Sequence, residues 1–290
     1  MAVDQERIQK SIRKLWKYVK NVPKQPSPGE IHKLRTNARK IEANLKALSL
    51  ESNKSEQRLL KCVKQIRKRA GKVRDLDVLT RNLATVHADG EAECEVMLLE
   101  YLGRKRQKQA RKLHTVISNE RTGLKKRLRR ASAHVDKFLK KNEPEPASLA
   151  AAHALQLSSQ LQSPSRLNRG NLHAYRLKVK ELRYVLQLSA SADRQFVDDL
   201  GNVKDAIGDW HDWEELISIA TNKLDHGTAC RLLPKIKDIT ESTYQQALNM
   251  AGDFRRKYLD VAKGKRPSRT LELKPAVLDA MGKLSRARAA

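Results

Sequence analysis

Apolar residues return along this chain every three or four positions, the spacing that gathers them on one side of an α-helix. Ile31, Leu34, Ala38, Ile41, Leu45 and Leu48 form one such stripe, and Leu124, Leu128, Val135, Phe138 and Leu139 form another. Pro, Gly, Asn and Ser clusters interrupt the pattern at 21–29, 49–55, 87–90, 142–147, 163–170 and 264–268, where they predict helix ends. The 12 Gly and 9 Pro are too few for the turns of a sheet-rich fold, and β-branched runs are scarce. The predicted fold class is all-α, with nine or ten helices and the short connections of antiparallel bundles.

A second pattern lies over the first. Ile31-His32-Lys33-Leu34-Arg35 aligns without a gap on Leu172-His173-Ala174-Tyr175-Arg176, and the match continues through Arg39/Lys180, Ile41/Leu182 and Leu45/Leu186. Later in each half, Gly71-Lys72-Val73-Arg74-Asp75-Leu76-Asp77 aligns on Gly208-Asp209-Trp210-His211-Asp212-Trp213-Glu214. Two matches in the same order indicate an internal duplication. The halves are expected at 1–141 and 147–262, followed by a basic, Pro-interrupted tail at 263–290. Gly71 and Gly208 fit helix ends or close helix contacts better than phosphate-cradling loops.

Charge changes the picture from a generic bundle to a binder. Lys and Arg number 60 against 33 Asp and Glu, a formal excess of +27 and a pI near 10.2. Self-repulsion on that scale disfavours the compact state, so it points to a partner of opposite sign: nucleic acid, an anionic membrane surface or a polymeric phosphate. At about 100° per residue, His32, Arg35, Arg39 and Lys46 fall on one line beside the apolar stripe. His173, Arg176, Lys180 and Arg183 do the same beside Leu172, Tyr175, Val179, Leu182 and Leu186. Further rows run through Lys61, Lys64 and Lys68, through Arg104, Lys108 and Arg111, and through Arg121, Lys125 and Arg129. Few acids stand at the intervening helical spacings to neutralise them. If the halves pack about a pseudo-twofold axis, the two His-led stripes face each other across a groove, where Arg forks and mobile Lys charges suit phosphate oxygens.

Other features narrow the setting. Cys62, Cys94 and Cys230 match no zinc or disulfide spacing and read as thiols of a reducing compartment. Charges throughout the first twenty residues leave no signal-peptide core, and the stretch 147–166 is too polar to span a bilayer. A cytoplasmic protein without membrane insertion is expected.

The residues quoted above resemble the CHAD family, the conserved histidine α-helical domain. The resemblance is carried by His32-Lys33-Leu34-Arg35 with Arg39-Lys40, Gly71 to Asp77, Leu172 to Arg176 with Lys180 and Arg183-Tyr184, and Gly208 to Asp212. It implies two four-helix bundles related by a pseudo-twofold axis, with a basic central cavity that binds inorganic polyphosphate, and association with polyphosphate granules. The phosphate-facing positions carried over are His32, Arg35 and Arg39, then His173, Arg176, Lys180 and Arg183. Arg74 and His211 match the Arg-Asp and His-Asp motif positions, and Lys64 and Arg111 from the basic rows complete the candidate set. Glu42 and Glu181 depart from the family pattern and would weaken binding unless they pair with neighbours. Nothing resembles the triphosphate-tunnel domain fused to many members, so a stand-alone member is expected.

Two rival functions compete. His211-Asp212 is an HD dipeptide of the kind used by helical metal-dependent phosphohydrolases, but the duplicate position holds Arg74-Asp75, and a cation sits poorly in a metal shell. Asp75 and Asp212 are better read as orienting the neighbouring bases. Neither catalysis nor a cofactor is expected. A nucleic-acid backbone binder shares the electrostatics, yet aromatics are only 4% of the chain and leave a stacking platform poorly supplied. His87, His114, His134, His153 and His226 have no partner at ligand spacing.

Overall fold

Two of the expected breaks become helix caps of one design. Ser27 accepts a hydrogen bond from Glu30 N–H while the Glu30 carboxylate accepts from Ser27 N–H, with Pro28 opening the helix. Asn168 and Asn171 exchange the equivalent pair of bonds. Such a cap contributes about 1 kcal/mol and fixes the starting register. His32 and His173 consequently stand at the same place, each the fifth residue of its helix.

The computed structural model describes residues 4–86, 92–141, 145–163, 165–189, 192–224 and 231–259. Eight α-helices occupy them: α1 (Gln5–Lys20), α2 (Pro28–Ala47), α3 (Lys54–Leu83), α4 (Ala92–Lys141), α5 (Glu145–Gln162), α6 (Arg169–Leu186), α7 (Arg194–Lys223) and α8 (Leu232–Tyr258). A 3-10 turn at Leu50–Ser52 joins α2 to α3, and no strand occurs among the described residues. Among the described residues the helices are fewer and longer than the periodicity predicted, α4 running unbroken for 50 residues. Helix α5 begins at Glu145, inside the expected break, and takes Pro146 into its first turn, where the missing N–H costs nothing. Breaks between α6 and α7 and between α7 and α8 carried no Pro or Gly signal strong enough to be expected. The expected break at 87–90, the tail at 263–290, and His87, His226 and Cys230 lie outside the described residues.

Consecutive helices pack within α1–α4 and within α5–α8, and α1 closes against α4. Across the middle, α2 lies against α6 and α3 against α7, each helix meeting its counterpart in the sequence match. The apolar stripes end where periodicity placed them. Ile31, Leu34, Ala38, Ile41, Leu45 and Leu48 are all buried, as are Leu172, Tyr175, Val179, Leu182 and Leu186. They belong to one continuous core that also takes in α1, α3 and α4. A second cluster, including Leu79, Leu83, Leu98, Leu102, Leu216 and Leu232, joins the α3–α4 corner to the α7–α8 corner. Burying a Leu or Ile of this kind contributes about 1.5–3 kcal/mol, which holds the central helices rigidly enough to converge charges.

Candidate anion-binding groove

The apolar stripes of α2 and α6 turn inward, so their basic stripes flank the central contact. Arg35 and Arg176 then lie against the next helix at its glycine. A methyl group at Gly71 would stand 3.7 Å from Arg35 Nε, and one at Gly208 would stand 3.0 Å from Arg176 Nε. Both glycines are inside helices, where they cost helix stability but leave room for a guanidinium to lie flat. The α6 arginines are also tethered: Arg176 Nε donates to Lys204 O at 3.1 Å, and Arg183 Nε to Val197 O at 3.2 Å. Rigid forks of this kind keep their remaining N–H groups for another acceptor.

Lys180 is the most strongly perturbed group of the cluster. It is only 7% exposed. Burial drives its ammonium pKa down to about 5, and Arg176, Arg39, Arg35 and Lys204 press in the same direction. No carboxylate forms an ion pair with it among the described residues. Arg39 falls to about 10, again first by burial and then through Arg35 and Arg67, and its Nε is buried without a hydrogen-bond partner. His173 falls to about 4 through burial, His211 and Arg176, and its Nδ1 is likewise unpartnered. The His173 and His211 rings lie 4.1 Å apart between centroids. His211, His32, Arg74 and Arg176 are all lowered, burial being the first cause in each. Cations crowded in partial burial, each disfavouring its neighbours' charge, form a site complementary to anions.

Acids stand behind this layer. Asp75 Oδ1 is 3.9 Å from Arg35 Nη2, and Asp212 acts electrostatically on both Arg176 and Arg74. Burial raises Asp75, and it raises Asp212 to about 6. Among the described residues, no group of three or more His, Cys, Asp or Glu is placed to hold a metal ion. The HD dipeptide sets His211 beside His173 and Asp212 within the field of Arg176 and Arg74. Glu42 and Glu181 both find neighbours: Glu42 lies 2.7 Å from Arg67 Nε, while Glu181 takes Lys46 and His153. His134 likewise meets buried Glu56 at 2.9 Å, a helix-to-helix contact that sequence spacing could not reveal.

The structure therefore brings together His32, Arg35, Arg39, Arg74, His173, Arg176, Lys180 and His211, with Arg183 at the edge. Lys64 and Arg111 are not joined to them. Lys64 is exposed on α3, and Arg111 is exposed on α4, which packs on α3 and α1. Neither is among the main charges perturbing the central groups. Two members were missed from sequence: Lys204, which acts on Lys180 and His32, and Tyr184, whose phenol is raised by burial among Arg39, Arg183, Arg35 and Arg176. Extending the glycine-anchored match one helical turn upstream pairs Arg67 with Lys204, a signal that would have found the lysine. No helix among the described residues is long and apolar enough to cross a membrane.

Comparison with known proteins agrees with this architecture. The family model for the CHAD domain matches residues 6–220. The crystal structure of the CHAD domain from the plant Ricinus communis superposes with a TM-score of 0.59 at 14% identity, covering 88% of this chain and 91% of that one. At that identity the likeness speaks for the fold alone. No curated protein matches the chain.

Proposed function

The chain belongs to the CHAD domain family, and from that premise we propose that it binds inorganic polyphosphate, without catalysis, in the groove between α2 and α6. We propose also that its halves derive from one duplicated unit, divided near 142–146, and that it works in the cytoplasm at polyphosphate granules. The observation that carries the binding reading is Lys180: a buried amine facing three arginines and a lysine with no acid paired to it, so that it regains its charge when an anion lies beside it. Removing an ammonium from water costs several kcal/mol, and a polyanion in the groove offsets that cost for the whole cluster.

Bare phosphate suits the groove better than stacked bases. Tyr175, Trp210 and Trp213 on its helices are buried at 2%, 3% and 8% exposure, and partly buried Tyr184 stands singly among arginines, so successive bases meet no row of rings. A linear chain of phosphates needs only donors in a row. Affinity then comes largely from released counterions, and the logarithm of the binding constant falls by about 0.7 per neutralised phosphate for each logarithmic unit of salt. The test is a salt titration of long-chain polyphosphate binding, with phosphate release followed in the same tubes with and without added divalent metal. A slope steeper than about −4 with no release is expected from the seven or so convergent cations. Steady release of phosphate, or binding insensitive to salt, would defeat the proposal.

A further inference from the structure

A second basic space lies beside the groove and was not anticipated from sequence. A cavity of about 340 Å³ opens between α1, α2 and α6, lined by Arg7, Lys10 and Lys14 from α1, Lys40 from α2, and Tyr184 and Gln187 from α6. Arg7 is already engaged, 2.8 Å from Asp4 and donating to Gln187 O at 2.7 Å. Lys10, Lys14 and Lys40 make no ion pair among the described residues. Lys40 is lowered by burial and then by Lys14, Arg183, Arg7 and Lys10, so all of these charges address one space.

The cavity is continuous in charge with the central groove. Tyr184 forms part of its wall and also sits within the field of Arg39, Arg35 and Arg176. Lys40 follows Arg39 in the chain, and Tyr184 follows Arg183. The counterpart of this cavity in the sequence match is different. In the gap-free alignment of α2 on α6, Lys40 corresponds to Glu181 and Gln187 to Lys46. There Glu181 is closed by His153 at 3.3 Å and by Lys46, and its pKa is held down to about 2 by those bonds. One of the two corresponding positions is a cluster of unneutralised amines, and the other is an ion-paired plug.

We propose that the α1–α2–α6 cavity is an exit subsite through which a linear polyphosphate leaves the groove, so that a long chain runs out here and not at the ion-paired counterpart. This inference rests on the polyphosphate reading and adds polarity to it. Phosphates beyond the central stripes are gripped by Lys10, Lys14 and Lys40, whereas tripolyphosphate is satisfied by the central cations.

The test compares Lys10→Gln/Lys14→Gln/Lys40→Gln with the parent chain, for long-chain polyphosphate and for tripolyphosphate. Lys10→Gln/Lys14→Gln, which changes only exposed side chains, guards against a folding defect. The triple variant should bind the long chain about 10-fold more weakly at moderate salt and lose about 2 from the salt slope, with the double variant in between. Tripolyphosphate binding should change less than about 2-fold. Unchanged long-chain affinity and slope in a parent that binds polyphosphate would overturn the exit subsite alone. A parent that does not bind long chains at all would overturn the functional reading and this inference together.

Discussion

Replacing Lys180 by Met should stabilise the protein and weaken its binding at the same time. The side chains are similar in length and volume, and the position is buried. In the unfolded chain the ammonium titrates near 10.5, whereas in the folded chain it titrates near 5. A folded-state pKa below the unfolded one means that the charge opposes folding. The penalty is complete below about pH 5 and disappears as pH rises through 10.5. At pH 7 the unfolded side chain still holds its proton and the folded one has lost it. At about 1.4 kcal/mol per pH unit, the interval from 7 to 10.5 gives a ceiling of about 5 kcal/mol. Relaxation and water penetration reduce it to about 2–4 kcal/mol. For a chain of this size that is about 4–8 °C in Tm. Differential scanning calorimetry of parent and Lys180→Met at pH 7 and pH 10 reads it directly. The variant should melt higher at pH 7, lose most of the advantage at pH 10, and bind polyphosphate about 3- to 10-fold more weakly. A lower Tm at pH 7 with unchanged binding would refute the idea that Lys180 is a charge held in reserve for an anion.

The remaining expectations use the same electrostatics. His32, His173, His211 and Lys180 are all lowered in the protein alone, and a bound polyanion raises them, so the complex holds more protons than its parts. Affinity should therefore rise as pH falls from 8 to 6, and calorimetric titrations at pH 7 in buffers of differing ionisation enthalpy should show net uptake of about one proton or more; zero uptake or release would contradict this. Gly71→Ala, with 3.7 Å to its nearest neighbour, should stabilise α3 by about 0.5–1 kcal/mol in thermal melts and leave binding unchanged. Gly208→Ala displaces Arg176 and should reduce affinity several-fold with little gain in Tm; equal binding by both variants would remove the role assigned to the Arg176 cradle.

Much of this was legible in the sequence because helical periodicity is local. The inward stripes of α2 and α6 and the positions of His32, Arg35, His173 and Arg176 follow from 3.6 residues per turn and two caps. What stayed hidden depends on helices distant in sequence. Glu181 and Glu42 looked like defects in a basic stripe, but their partners His153, Lys46 and Arg67 all lie on other helices. Arg111 shares spacing with a basic row, yet α4 packs away from the groove, so spacing on one helix said nothing about which side that helix shows. The cavity of Lys10, Lys14 and Lys40 combines three helices and has no linear signature.

The most direct test of the central claim is a competition titration at fixed near-physiological salt. Labelled long-chain polyphosphate is displaced by unlabelled polyphosphate, double-stranded DNA and single-stranded RNA at matched phosphate concentration. The series is repeated with Arg35→Ala/Arg176→Ala. Polyphosphate should compete at least about 10-fold better than either nucleic acid, and the double variant should lose most of that advantage. Equal competition by DNA or RNA, with the variant behaving as the parent does, would leave the paired stripes as solvated surface and contradict the account.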